Sequence, residues 1–104
     1  MKYNPSIVTA YFRECGIPEP EYEYKFHPVR KWRMDLAWPE HKLYLEVDGG
    51  IFVRGGHNRG AQMLKDWEKR NTATSMGWRG LICQPSDLLM KETVRFIKTS
   101  MEIS

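Results

Sequence analysis

Residues 33–48 read Arg33-Met-Asp-Leu-Ala-Trp-Pro-Glu-His-Lys-Leu-Tyr-Leu-Glu-Val-Asp48. Two short runs of strand-forming residues flank Pro39-Glu-His-Lys42, a spacing that predicts a β-hairpin. A four-residue loop pairs Trp38 with Leu43, so every later pair of opposed residues sums to 81. Side chains alternate across a sheet, which puts Met34, Leu36, Trp38, Leu43, Leu45 and Val47 on one entirely apolar face. The other face carries Arg33, Asp35, Ala37, Tyr44, Glu46 and Asp48, with Asp35 directly opposite Glu46. The clean division between faces supports the register.

Like charges opposed on neighbouring strands, with Cβ atoms about 5 Å apart, destabilise a sheet. Three things can offset the repulsion: a raised pKa on one acid, an ion pair to Arg33 or to a lysine borne on a helix, or a divalent cation held by oxygen ligands. A set of two or three carboxylates suits Mg²⁺ or Mn²⁺, which keep several waters and take substrate phosphate oxygens as further ligands. Such a cation polarises a phosphoryl oxygen and lowers the pKa of bound water, the basis of metal-assisted hydrolysis. A structural Ca²⁺ site is a further reading of the same acids.

The 104 residues predict one domain, 1–104, with 41% hydrophobic and 12% aromatic residues, a globular composition. No apolar run approaches the roughly 20 residues needed to span a bilayer, so no membrane partner is expected. The first residues lack the apolar core of a secretory signal, and a cytoplasmic location is the expectation. Cys15 and Cys83 are far apart and read as small hydrophobes rather than a disulfide or a zinc site.

Along the chain, Asn4-Pro5 opens a first helix whose Ile7, Val8, Tyr11, Phe12 and Cys15 recur at helical spacing, and Gly16 closes it. Tyr22 to Phe26, Arg33 to Trp38 and Leu43 to Asp48 read as strands, and Gly49 to Gly60 as a loop. A second helix is predicted over 61–76, with Leu64, Trp67, Asn71 and Thr74 as its stripe and Gly77 at its end. Trp78 to Gln84 reads as a short buried strand. Ser86-Asp87 is expected to cap a last helix with Met90, Val94, Ile97 and Met101 inward. The order α-βββ-α-β-α predicts an α/β fold with a mixed sheet flanked by helices.

The formal net charge is +3. Residues 25–33 gather Lys25, His27, Arg30, Lys31 and Arg33 with no acid, interleaved with Phe26 and Trp32, a mixture suited to phosphates and base faces. Charged residues on a strand edge that only discourage mispairing give the same pattern. Among the tryptophans, Trp38 and Trp67 fit core positions, and Trp32 is the candidate for stacking on nucleic acid.

Asp35 followed eleven residues later by Glu46-Val-Asp48, on a hairpin between two helices, resembles the PD-(D/E)XK nuclease superfamily. The series Glu46-Val-Asp-Gly-Gly50, His57, Asp66, Lys69 and Gly77-Trp-Arg79 is similar to the compact domains of very-short-patch repair endonucleases and small phage nucleases. The resemblance covers about residues 14 to 90. It implies a restriction-endonuclease-like αβββαβα core and a Mg²⁺- or Mn²⁺-dependent endodeoxyribonuclease. It implies metal held by Asp35, Glu46, Asp48 and the carbonyl of Val47, with His57 and Lys69 completing the catalytic set. The usual lysine two residues after the motif acid is replaced by Asp48, so either Asp48 or Lys69 is expected to take its role. Under this reading the five glycines of the loop let backbone amides approach a phosphodiester, while Arg54, His57 and Arg59 join Arg30, Lys31, Trp32 and Arg33 in contacting DNA. So small a chain suits structure-specific or nicking cleavage, as a homodimer if symmetry is used. The alternative from another class is a non-catalytic nucleic-acid-binding module that keeps the nuclease fold.

Overall fold

A computed structural model describes residues 3–49 and 59–102, with side chains throughout that range except those of 59–63. The elements run α1 (Pro5–Glu14), β1 (Glu21–Tyr24), β2 (Met34–Trp38), β3 (Leu43–Val47), α2 (Arg59–Ser75), β4 (Arg79–Cys83) and α3 (Lys91–Ser100). The result is a mixed α+β fold: one four-stranded sheet in the order β1-β2-β3-β4, antiparallel except for the parallel β3–β4 pair, flanked by helices.

The hairpin has the expected register, with Trp38 opposite Leu43, Ala37 opposite Tyr44 and Leu36 opposite Leu45. Its loop is a single 3-10 turn over Pro39–His41, closed by Lys42 at φ 51°. On one side of the sheet Leu36, Trp38, Leu43, Leu45 and Val47 pack with Val8 and Phe12 of α1 and with Ile97 and Met101 of α3. The α1 helix starts as its sequence dictates, Asn4 Oδ1 accepting from the Ser6 and Ile7 amides with Pro5 in the first turn. Two buried polar groups tie the linking segment down. Trp38 Nε1 donates to the Pro18 carbonyl at 2.8 Å, and Tyr22 Oη donates to the Pro5 carbonyl at 3.1 Å.

The opposite side of the sheet holds a second core of Phe26, Met34, Ala37, Tyr44, Ala73 and Trp78. Met34 therefore lies on the α2 side and not with Leu36. The reversal coincides with Glu23, a strand residue at φ 51°, which turns β1 so that Tyr22 packs in the first core and Tyr24 in the second. Met34, paired with Tyr24, follows it across.

Three further expectations are corrected. The α2 side that faces the sheet carries Ala73, with Met76 just past the helix's end, while Leu64 and Trp67 are 61% and 52% exposed, so Trp67 is not a core residue. The β4 strand is the sheet's edge, with Ile82 exposed, and is not buried as a whole. Met90 is exposed and caps α3. Thr93 takes a buried place instead, satisfied by donating from its hydroxyl to the Asp87 carbonyl at 2.7 Å. No helix among the described residues is long and apolar enough to cross a membrane.

Gly80 of β4 lies beneath the buried Tyr44 ring, where a Cβ would overlap Tyr44 Cζ and Oη. Gly80→Ala is expected to lower stability by about 1–3 kcal/mol through overpacking, read as a fall in the urea midpoint at unchanged slope.

Candidate active site

Beyond Leu36 and Leu45 the hairpin strands part, and carboxylates take the place of ladder hydrogen bonds. Asp35 Oδ2 accepts from the Val47 amide at 2.7 Å, and Glu46 Oε2 approaches the Asp35 amide at 3.4 Å. The two acids foreseen as opposed are thus brought together, although the pair does not stand on an open surface. The Glu46 side chain is only 12% exposed.

The offset to their repulsion is visible. Lys69, reaching down from α2, places Nζ 2.5 Å from Glu46 Oε1, with both side chains largely covered. Burial raises the Glu46 pKa above its ordinary value. Lys69 pulls it back by charge and hydrogen bonding, and Asp35 pushes it up again through its own charge and hydrogen bond. Two of the three anticipated ways of tolerating the acids are therefore at work, the helix-borne lysine and the raised pKa. Such a covered pair adds little net stability because desolvation opposes attraction, but removing one partner leaves a buried charge.

Val47 has a further property. The Asp48 amide donates to the Cys83 carbonyl at 2.8 Å, so Asp48 turns its backbone groups toward β4. By alternation the N–H and C=O of Val47 turn toward β2, where the Asp35 carboxylate sits. A cation placed among these groups would meet two carboxylates and a main-chain carbonyl, a set that suits an ion retaining several waters. Among the described residues no group of three His, Cys, Asp or Glu side chains is arranged to hold a metal ion. Asp48 is exposed at the end of β3.

Two neighbours escaped the sequence reading. Extending the β1–β2 register places Glu23 opposite Asp35, so acids of three successive strands lie in one row. Tyr3, before α1, has its hydroxyl pKa raised by burial first and then by the charges of Asp35, Glu23 and Glu46. The nine-residue connection between Tyr24 and Met34 leaves the β1 register open in the sequence, so the place of Glu23 opposite Asp35 was not legible there.

The remaining candidates separate into two groups. Arg30, Lys31, Trp32 and Arg33 lie in the segment leading into β2, immediately before Asp35. There Arg30 pairs with Glu68 of α2 at 2.7 Å and stacks 4.0 Å above the Trp32 ring. Trp32 is half-buried and stacks on Phe26, so much of its ring already has protein partners. Asp66 pairs with Arg70 at 3.2 Å rather than with Lys69. Arg54 and His57 lie outside the described residues, as do Gly50, Gly55 and Gly56, and Arg59 begins α2 with its side chain outside the description.

Two sequences of Mycobacterium tuberculosis resemble part of the chain: the uncharacterized proteins MT2308 of strain CDC 1551 / Oshkosh and Rv2248 of strain H37Rv. Each is 32% identical over 65 residues, covering 61% of this chain and 22% of the relative. The chain thus matches about a fifth of the length of these relatives. No protein-family profile and no solved structure matches it.

Asp35→Ala should cost about 1–3 kcal/mol, because the Val47 amide loses its acceptor. Asp35→Asn retains a carbonyl oxygen there and should cost less, a contrast readable in paired denaturation curves. Glu46 gives a pH signature. The folded state binds its proton more tightly than the unfolded chain, so its contribution is greatest below the ordinary glutamate value and is lost as pH rises through the raised one. The urea midpoint should fall across that window in the wild type, and Glu46→Gln should remove this segment of the pH dependence.

Proposed function

We propose that this protein is a metal-dependent endodeoxyribonuclease with a restriction-endonuclease-like core. The observation that carries the reading is the convergence of Asp35 and Glu46 where β2 and β3 part, covered by Lys69 from α2. Acids from two adjacent strands and a lysine from the following helix are groups that would hold a cation and handle a proton beside one phosphate. Asp35, Glu46 and the Val47 carbonyl would hold Mg²⁺ or Mn²⁺, with Asp48 at the rim as a further ligand or a base. When bound, the cation would supply charge to the phosphoryl oxygen and acidity to a coordinated water.

The chain's own groups have definite tasks. Lys69 neutralises Glu46 before a cation arrives and, once released from it, offers an ammonium to orient water or a phosphate oxygen. The amide of Val47 fixes the Asp35 carboxylate, limiting the reorganisation needed on binding. The cationic segment before β2 borders the acids, so it can hold a DNA backbone beside them while Arg30 remains anchored to Glu68. His57, Arg54 and Arg59 complete the proposed phosphate contacts, and DNA is the proposed partner, cleaved at a structural feature or nicked.

The Lys69–Glu46 pair also favours a second reading, a non-catalytic nucleic-acid-binding module, since the acids are compensated without a cation. Incubation with supercoiled, branched and linear DNA in Mg²⁺, Mn²⁺ or EDTA separates the two. The nuclease reading expects metal-dependent cleavage, reduced more than about 100-fold in Asp35→Asn and Glu46→Gln and reduced also in Lys69→Met, with DNA binding retained. Binding that survives all three substitutions without cleavage by the wild type in either metal overturns the nuclease and supports the module.

A further inference from the structure

The two edges of the sheet are unlike. At β1, Glu21 and Glu23 are exposed and Glu23 has a left-handed backbone, features that keep a strand from adding neighbours. Among the described residues Gly80-Leu-Ile-Cys83 of β4 carries no such protection, and none of their strands pairs with its outer side.

Its geometry is self-complementary. The amide of Arg79 donates to the Lys42 carbonyl, and the Cys83 carbonyl accepts from Asp48, so residues 79, 81 and 83 turn their backbone groups toward β3. Gly80 and Ile82 turn theirs outward. Laid antiparallel against a second copy about a two-fold axis through Leu81, Gly80 meets Ile82 of the other chain as a hydrogen-bonded pair, and the symmetric pair repeats it. Both residues project to the α2 side. Ile82, 53% exposed, would lie over the residue without a side chain and against the rim of the Tyr44 ring that covers it.

Charge fits the same operation. Arg79 is exposed at the start of the strand. Asp87 stands just past its far end, in the turn Pro85–Asp87, its amide donating to the Gln84 carbonyl at 3.0 Å. Antiparallel pairing brings Arg79 of each copy toward the Cys83–Asp87 end of the other.

We propose that β4 is a homodimerisation edge, on which two copies of this chain join their sheets into one of eight strands. This does not depend on the nuclease reading. The axis stands perpendicular to the sheet, so the α2 side of both copies, with its carboxylate pair, opens on the same side of the dimer.

Sedimentation equilibrium of the whole chain over a wide concentration range tests the proposal, with far-UV circular dichroism confirming that each variant is folded. The wild type should be a reversible dimer. Ile82→Lys and, separately, Arg79→Glu should each weaken association by about tenfold or more, and Arg79→Glu combined with Asp87→Arg should recover it. A wild type that stays monomeric throughout, or association unchanged by Ile82→Lys and Arg79→Glu, overturns the proposal. Failure of the double exchange to recover association overturns the antiparallel register through Leu81.

Discussion

The ion pair between Glu46 and Lys69 is the interaction on which the carboxylate end of this molecule depends. It lets an acid sit beneath α2 beside a second acid, in a place where an uncompensated charge would be excluded. It lies on the side of α2 that meets the sheet. With Lys69 drawn to Glu46, Ala73 one turn further on and Met76 beyond it turn inward to the second core, and Leu64 and Trp67 turn outward. The helix therefore turns toward the sheet the side that carries Lys69 and Ala73, not the side that carries Leu64 and Trp67.

The two cores divide the labour. The first, between the sheet and the α1–α3 pair, is almost wholly apolar and contains most of the large fully buried side chains, among them Phe12, Leu36, Leu43 and Ile97. The second, beneath α2, is aromatic, built of Phe26, Tyr44 and Trp78, and grades into the charged groups of the site. Placing Glu46 at the margin of the second core restricts its access to water and raises its affinity for protons, while α1 and α3 secure the hairpin from behind.

Much of the fold was legible because a few residues constrained it strongly. A four-residue loop with Pro39 fixed the hairpin register, and Asn4-Pro5 and Gly16 marked the ends of α1. From the register alone came the meeting of Asp35 and Glu46. The passage of Met34 to the other side was not legible, because it accompanies a positive φ at Glu23 and nothing about a glutamate announces that conformation. The α2 orientation was not legible, because the mixed stripe of Leu64, Trp67, Asn71 and Thr74 marks one side of the helix and Lys69 with Ala73 another, and only the second meets the sheet. Lys69 itself was anticipated as a residue reaching in from the helix. Glu23 and Tyr3, which bring further negative charge and a phenol to the Asp35 neighbourhood, became visible only with the pairing of β1.

Glu46 is a covered acid whose affinity for its proton is raised, and under the proposed function a divalent cation would draw it away from Lys69. The most direct measurement is a ¹³C-carboxyl NMR titration of Glu46, with and without Mg²⁺. The midpoint should lie above the ordinary glutamate value in the absence of cation and move downward when Mg²⁺ is added. An ordinary midpoint that Mg²⁺ leaves unchanged would contradict it.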